Sequence, residues 1–329
     1  MVMQRIKGLR MLENSSILVT GGAGFIGSHL VDRLISNNRV TVLDNLSSGK
    51  KEHLAHHLDN LNFTLIEADL FDTTILDEAV KNQDIIFHLA ANPDVRLGVD
   101  NTLVHLQQNV LATYNLLEAM RRYEVKKIGF TSTSTVYGEA SEVPTPESYG
   151  PLKPISLYGA SKLAGEALIS SYCHTFDMQS WIFRFANIVG ERGTHGVLVD
   201  FIRKLRANPN VLEILGSGRQ IKSYLEVNDC VEAMVYCVEH SYEQTNIFNI
   251  GAQDYIDVTT IADIVVESMG LSNVNYRYTG GLDGRGWKGD IKVMLLSVEA
   301  IMRLGWRPKH NSAESIKEAV KALLRNETL

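Results

Sequence analysis

Tyr158 and Lys162 lie four residues apart in Tyr158-Gly159-Ala160-Ser161-Lys162, a stretch that reads as the start of a helix. That spacing sets a phenol and an ammonium on one helix face. A held cation favours phenolate and draws a tyrosine down from its reference pKa of about 10, as a general base for alcohol oxidation requires. Tyr-x-x-x-Lys alone is a frequent accident. Upstream, Thr131-Ser132-Thr133-Ser134-Thr135-Val136-Tyr137-Gly138 supplies a dense row of hydroxyls. Such a row also suits β-propensity and turn chemistry; its order and spacing with Tyr158 and Lys162 favour the functional reading. A second group comprises Gly21, Gly24 and Gly27, spaced GxxGxxG directly after an apolar run. Glycines there allow a tight turn and a close backbone approach to a pyrophosphate, whose charge rests on the next helix N-terminus. Asp44 follows 20 residues after Gly24, just past the next apolar run. A carboxylate at that place accepts adenosine ribose hydroxyls and repels a 2′-phosphate, which favours NAD over NADP. Asp69-Leu70 and Ala90-Ala91 end two further runs. Each pair admits two readings, a cofactor contact or an ordinary turn and packing role.

These groups need a scaffold that brings strand ends together. Apolar runs at 17–20, 40–43, 63–66, 85–89, 127–133 and 181–186 predict six strands. Between them, Phe25, Ile26, Leu30, Val31, Leu34 and Ile35 repeat at helical spacing, and Leu103, Leu106, Val110, Tyr114 and Leu117 mark a long helix over about 103–122. Near-continuous apolar strands alternating with helices predict a doubly wound parallel α/β sheet of Rossmann type. Beyond Asn187 the rhythm loosens into a smaller C-terminal lobe, with irregular segments near 208–225 and 275–292. The segment 229–251 returns to helix then strand, so the two parts interleave. The expected division is a flexible leader at 1–14, with Met11 as an alternative start, a cofactor domain at 15–187 and 228–262, and a substrate lobe at 188–227 and 263–329.

Composition narrows the class. With 45% hydrophobic and 21% charged residues the chain is globular rather than disordered. A formal net charge of −6 argues against a broad nucleic-acid surface, and no apolar run reaches the length of a membrane span. The basic N-terminal stretch lacks the apolar core of a secretory signal. Cys173, Cys230 and Cys237 form no metal-type pair and read as buried reduced thiols of a cytoplasmic protein. His53, His56 and His57 have a spacing that could hold a metal on a helix, with Glu52 as the nearby carboxylate. The chemistry above needs no metal, and a solvated helix face is the expectation.

The glycine loop, Asp44, His88-Leu89-Ala90-Ala91, Thr133 before Val136-Tyr137-Gly138, Tyr158 with Lys162, and Arg184-Phe185-Ala186-Asn187 occur in one order along the chain. In that order the chain resembles the extended short-chain dehydrogenase/reductases, and most closely their UDP-glucose 4-epimerase group, from about Ser15 onward. The resemblance implies a tightly held NAD, contacted also by Phe25, Ile26, Asn45, Leu89, Asn109 and Phe185. It implies a UDP-sugar substrate contacted by Thr133, Asn187 and Val197, and a homodimer formed through the helix at 103–122 and the Tyr158 helix. Thr133 would bond the sugar hydroxyl that Tyr158 deprotonates, and Lys162 would bind the nicotinamide ribose. Asn187 would meet the substrate diphosphate. Where the family places an arginine on that diphosphate, this chain has Lys222, which lacks the bidentate fork. A later Arg-x-Gly-Asp pattern reads Trp287-Lys288-Gly289-Asp290, leaving Arg285 or Lys288 to reach the diphosphate or to remain solvated charges. Met294 stands at the position that gates the sugar 2-substituent, slim and flexible enough to admit an N-acetyl group.

The hydroxyl row separates the reactions of the resembled family. Its 4,6-dehydratases carry Asp and Glu after the Thr, and its UDP-glucuronate decarboxylases a Glu before Val-Tyr-Gly; here Ser134 and Thr135 occupy those places. Elimination without a carboxylate lacks its proton shuttle. What fits is reversible oxidation at C4, rotation of the 4-keto sugar and hydride return to the other face, an NAD-dependent nucleotide-sugar 4-epimerase. A 4-keto reductase on the same scaffold and a non-catalytic NAD-sensing protein are the competing readings.

Overall fold

The computed structural model describes residues 12–287 and 290–325. The leader residues 1–11, Met11 included, and Lys288 lie outside the described residues. The end of the expected leader belongs to the fold instead. Leu12 is buried in the core, its carbonyl accepts from Asn38 Nδ2 at 2.9 Å, and Asn14 N–H donates to Asn37 at 2.8 Å.

The six apolar runs form β1 (Ser16–Thr20), β2 (Arg39–Asp44), β3 (Phe63–Glu67), β4 (Ile85–His88), β5 (Lys127–Thr133) and β6 (Gln179–Phe185). A strand at Thr245–Ile250 completes a seven-stranded sheet in the order Thr245–Ile250, β6, β5, β4, β1, β2, β3. Every neighbouring pair is parallel. Both faces are covered. Ile17 and Val19 enter one core with α1 (Phe25–Leu34) and the helix Val227–His240, while Leu18 enters the other with the helices Ala112–Arg122 and Leu157–Phe176. Burial on both sides is why β1 reads as an unbroken apolar run. The strand order reverses between β1 and β4, and in open α/β sheets ligands bind outside the carboxyl ends of the strands at such a point. The register there pairs Thr20 with both Leu43 and His88, and Thr133 with Phe185.

The helix expected over 103–122 is interrupted by a π-helical turn at Leu106–Leu111. Apolar spacing does not reveal one extra residue in a turn. Here it carries Asn109 inward, where its side chain is buried and fully engaged. The segment bearing the three histidines, Lys51–His57, is a 3-10 helix with His57 buried, not the solvated face expected of it.

The smaller lobe has its own core, formed by Leu198, Ile202, Leu212, Ile261, Val265, Ile316 and Val320. Its packing draws the boundaries differently from the sequence reading. Ile261 and Ala262, expected with the sheet domain, pack into the lobe, while Val298, Ile301 and Trp306 pack against the sheet. Hydrophobic spacing shows that a face is buried but not which core receives it. The segments read as irregular contain strands: Val211–Ile214 pairs in parallel with Asn275–Tyr278, and Ile221–Lys222 lies between Ile256–Asp257 and Val293–Met294 in a three-stranded sheet. Cys173, Cys230 and Cys237 are free and buried, as expected. Among the described residues no helix is long and apolar enough to cross a membrane.

Candidate active site

Gly21 leaves β1 with φ +71°, and a Cβ on it would lie 2.6 Å from the Ala90 backbone nitrogen. A Cβ on Gly27 would lie 2.2 Å from the Gly21 carbonyl oxygen. Only glycine lets the turn and the first turn of α1 approach this closely. Gly24 is the N-cap of α1 and no side chain caps it, so the first-turn N–H groups at Phe25 and Ile26 have no side-chain partner. This is the amide arrangement that binds phosphate at helix N-termini. Asp44, at the end of β2, is buried and accepts from Ala23 N–H and Leu46 N–H, both at 2.9 Å. Burial raises its pKa, against those two bonds. One carboxylate thus braces the glycine turn from the end of β2. The cradle fits NAD.

The neighbouring residues divide. Asn45 Nδ2 donates to Asp69 Oδ2 at 2.7 Å, and Asp69 Oδ1 accepts from Phe71 N–H, so Asp69 fills the turn role weighed for it and is tied to Asn45 as well. Leu70 is buried in the sheet core. Leu89, Ala90 and Ala91 are half-buried beyond β4, where Leu89 N–H donates to Thr20 O at 3.0 Å. Asn109 accepts from Asn92 N–H at 2.8 Å and donates to Ser161 Oγ at 2.9 Å. It therefore joins the loop after β4 to the helix that carries Tyr158 and Lys162. Phe185, at the end of β6, is buried in the core shared with α1.

Thr133 ends β5 and caps a 3-10 turn at Ser134–Tyr137. Its Oγ1 accepts from Thr135 N–H and Oγ1–H, both at 3.2 Å, and its side chain is near enough to Tyr158 to act on that phenol's pKa. Tyr158 and Lys162 fall in the first turns of Leu157–Phe176, which Ser156 caps by accepting from Gly159 N–H at 3.0 Å. The expected effect of Lys162 on Tyr158 is not seen. Burial pushes the Tyr158 phenol up to about 12, against the opposing pull of Thr133. Lys162 Nζ donates to Thr131 O at 2.8 Å, and burial pulls its pKa down to about 7 against the pull of Glu166. Both groups leave water together, and the ammonium settles on a carbonyl rather than the phenol.

Sequence reasoning missed the frame behind this group. Glu166, one turn beyond Lys162, forms a buried pair with Arg184 at 2.6 Å and accepts from Ser132 Oγ. Arg184 Nη1 donates to Tyr137 Oη at 2.9 Å, and that hydroxyl donates to Asn249 Oδ1 at 2.8 Å. His88 bonds Thr20 at 2.7 Å and Thr113 at 2.9 Å, and burial beside Lys162 pulls its pKa down to about 3, so it is neutral. Arg184 and His88 stood in the quoted motifs, but their partners come from other elements. Only the preference of buried charges for partners signalled the network. Among the described residues no carboxylate is hydrogen-bonded to Thr133, Ser134, Thr135 or Tyr158.

Beyond β6, Asn187 Nδ2 donates to Ser223 O at 3.1 Å. Val197 opens the helix Val197–Ala207 and packs on the lobe core. Lys222 and Arg285 meet at Asp290, and Met294 lies beside Lys222. Lys222 Nζ is 2.7 Å from Asp290 Oδ1 and 5.2 Å from the Trp287 ring centre. Arg285 donates to the Asp290 carbonyl and to Glu139 Oε1. Met294 pairs in parallel register with Lys222 and packs with Val136 and Tyr137.

The sequence profile of the NAD dependent epimerase/dehydratase family matches residues 17–251. UDP-glucose 4-epimerase of Mycolicibacterium smegmatis is 32% identical over 92% of this chain and 97% of its own length. UDP-glucuronic acid decarboxylase 2 of Arabidopsis thaliana is 33% identical over 96% of this chain and 68% of its own. Among solved structures, a UDP-galactose 4-epimerase is 44% identical with a TM-score of 0.84, covering 94% of this chain and 99% of its own. UDP-N-acetylglucosamine 4-epimerase from Methanobrevibacter ruminantium M1, in complex with UDP-N-acetylmuramic acid, is 30% identical with a TM-score of 0.85, covering 95% and 99%. The glycine turn, Asp44 and the uncapped helix fit the cofactor in the family's description, and the match over residues 17–251 makes this chain a member of the NAD dependent epimerase/dehydratase family.

Proposed function

We propose that the chain is a UDP-sugar 4-epimerase of the UDP-glucose/UDP-galactose type. One observation carries the choice within the family: Thr133 stands close enough to Tyr158 to draw its phenol's pKa down, and the residues after Thr133 are hydroxyls rather than acids. Such a site can move one proton at a sugar hydroxyl. It offers no acid–base pair for eliminating water.

The glycine turn at Gly21, Gly24 and Gly27, with the first turn of α1, would hold the NAD diphosphate, and Asp44 the adenosine ribose. When bound, NAD supplies a reversible hydride acceptor for sugar C4. Tyr158 takes the proton of the C4 hydroxyl and keeps it while the 4-keto sugar turns, then returns it to the same oxygen. Thr133, fixed by Thr135, shares its hydroxyl with that oxygen and orients it toward Tyr158. A buried phenol at about 12 is a poor base until positive charge is brought near it, and Lys162 is the chain's own charge for that purpose. Its pKa of about 7 lets a small change of surroundings set its charge.

Asn187, Lys222 and Arg285 are our candidates for the substrate diphosphate. Lys222 and Arg285 would exchange their bonds to Asp290 and Glu139 for phosphate oxygens. Met294, slim and flexible, would admit an N-acetyl group, and a solved relative bears the name of an enzyme acting on such a sugar. Leu103, Leu106, Leu111 and Tyr114 are exposed apolar side chains that suit burial in a homodimer. The three free, buried cysteines suit a cytoplasmic protein. The test is to incubate the purified protein with UDP-, dTDP- and GDP-hexoses without added NAD. C4 epimers of the UDP-sugars support the proposal; a dehydrated or decarboxylated product, or no product, rejects it.

A further inference from the structure

The three histidines of the 3-10 segment are unused by the chemistry above, and the structure separates their roles. His53 Nδ1 bonds to Ala23 O at 3.0 Å. His56 Nε2 and His57 Nε2 instead converge on a single oxygen, Asp32 Oδ1, at 2.9 and 2.7 Å. Asp32 belongs to α1, too far along the chain for local spacing to reveal it as their partner. The three ligand atoms lie within 4.8 Å of one another. The other oxygen, Asp32 Oδ2, lies 2.8 Å from Arg192 Nη1.

We propose that Asp32, His56 and His57 form a binding site for a divalent transition metal of the zinc and nickel class. Two imidazole nitrogens directed at one carboxylate oxygen satisfy that oxygen twice over. A single ion placed among them would take all three as ligands, with the imidazoles neutral and the carboxylate ionised. Arg192 on the far oxygen leaves Oδ1 turned to the histidines, as outer partners orient ligating carboxylates. The His56 side chain is 51% exposed, which gives an entry path and room for a water as fourth ligand. Two nitrogens and one oxygen suit zinc or nickel and disfavour magnesium, which requires oxygen ligands. The ion would tie the 3-10 segment to α1, behind the glycine turn that His53 braces through Ala23.

The test uses full-length protein without an affinity tag, stripped with chelator and titrated calorimetrically with Zn²⁺, Ni²⁺ or Mg²⁺ alone. One Zn²⁺ or Ni²⁺ per chain is expected, with no Mg²⁺ uptake. At a hundredfold excess over Kd the unfolding midpoint should rise by roughly 4 °C. His56→Gln, at the surface, should keep its fold and lose that binding; Asp32→Asn should lose it too. The proposal is overturned if no saturable Zn²⁺ or Ni²⁺ binding occurs. It is equally overturned if His56→Gln binds as the wild type does, since the ion then sits elsewhere.

Discussion

Replacing Glu166 by Gln strikes the frame that holds Lys162. The Glu166 and Arg184 side chains are 5% and 4% exposed, and Arg184 reaches both carboxylate oxygens, at 2.6, 3.0 and 3.2 Å. Burial opposes the guanidinium charge, yet Glu166 raises the Arg184 pKa above its ordinary value, so the variant keeps a buried and unpaired cation. Breaking one side of such a pair costs about 3–5 kcal/mol. Unfolding entropy of about 2.1 cal/mol/K per residue over 329 residues is about 0.7 kcal/mol/K, so the midpoint should fall by about 4–7 °C. Removing both charges in Glu166→Gln/Arg184→Met should restore most of that loss. The variant also alters Lys162. Glu166 is the charge that holds the lysine up against burial, so in its absence the pKa falls below about 7. If charged Lys162 is the working form, the alkaline limb of the kcat–pH profile moves to lower pH. The assay is thermal unfolding of both variants beside a kcat–pH profile of the single one. A midpoint drop under about 1 °C, or a double variant as unstable as the single one, would refute the reasoning.

Tyr158→Phe should suppress turnover while leaving UDP-sugar affinity within a few-fold of wild type by calorimetry; wild-type-like rates would remove the proposed base. Gly27→Ala places a Cβ 2.2 Å from the Gly21 carbonyl and forces the turn open. Overpacking of about 1–3 kcal/mol, felt where the cofactor lies, corresponds to a loss of roughly 5- to 150-fold in NAD affinity, measured by titration of cofactor-free protein. Lys162 has a folded pKa of about 7, below its ordinary value of about 10.4, so its burial penalty is full below pH 7 and fades as pH rises. Relative to Lys162→Met, wild-type stability should therefore climb between pH 7 and 10, by up to about 1.4 kcal/mol per unit. A flat difference across that range contradicts the depressed pKa.

The sheet and its cofactor end were legible because short-range rules govern them. Apolar runs locate β1 to β6, and the glycines with Asp44 occupy strand ends where backbone geometry leaves few alternatives. What was hidden depends on contacts between distant segments. Asn109 turns inward through a π-helical insertion that apolar spacing does not register. Lys162 finds a β5 carbonyl, and Tyr158 is governed by burial, because desolvation is a property of the assembled site rather than of a four-residue spacing. Asp32 reaches His56 and His57 from another helix. In the lobe, Lys222 was expected at the substrate diphosphate and Arg285 there or in solvent, but Asp290 and Glu139 are the partners they hold.

The central claim is that Tyr158 and Thr133 serve a reversible oxidation at C4 that ends where it began. The direct measurement incubates the purified protein with UDP-glucose deuterated at C4, without added cofactor, and follows the label by mass spectrometry and proton NMR. The account predicts UDP-galactose with deuterium still at C4 and no loss to solvent. Label washed into water, or product formed only with stoichiometric consumption of added NADH, would contradict it.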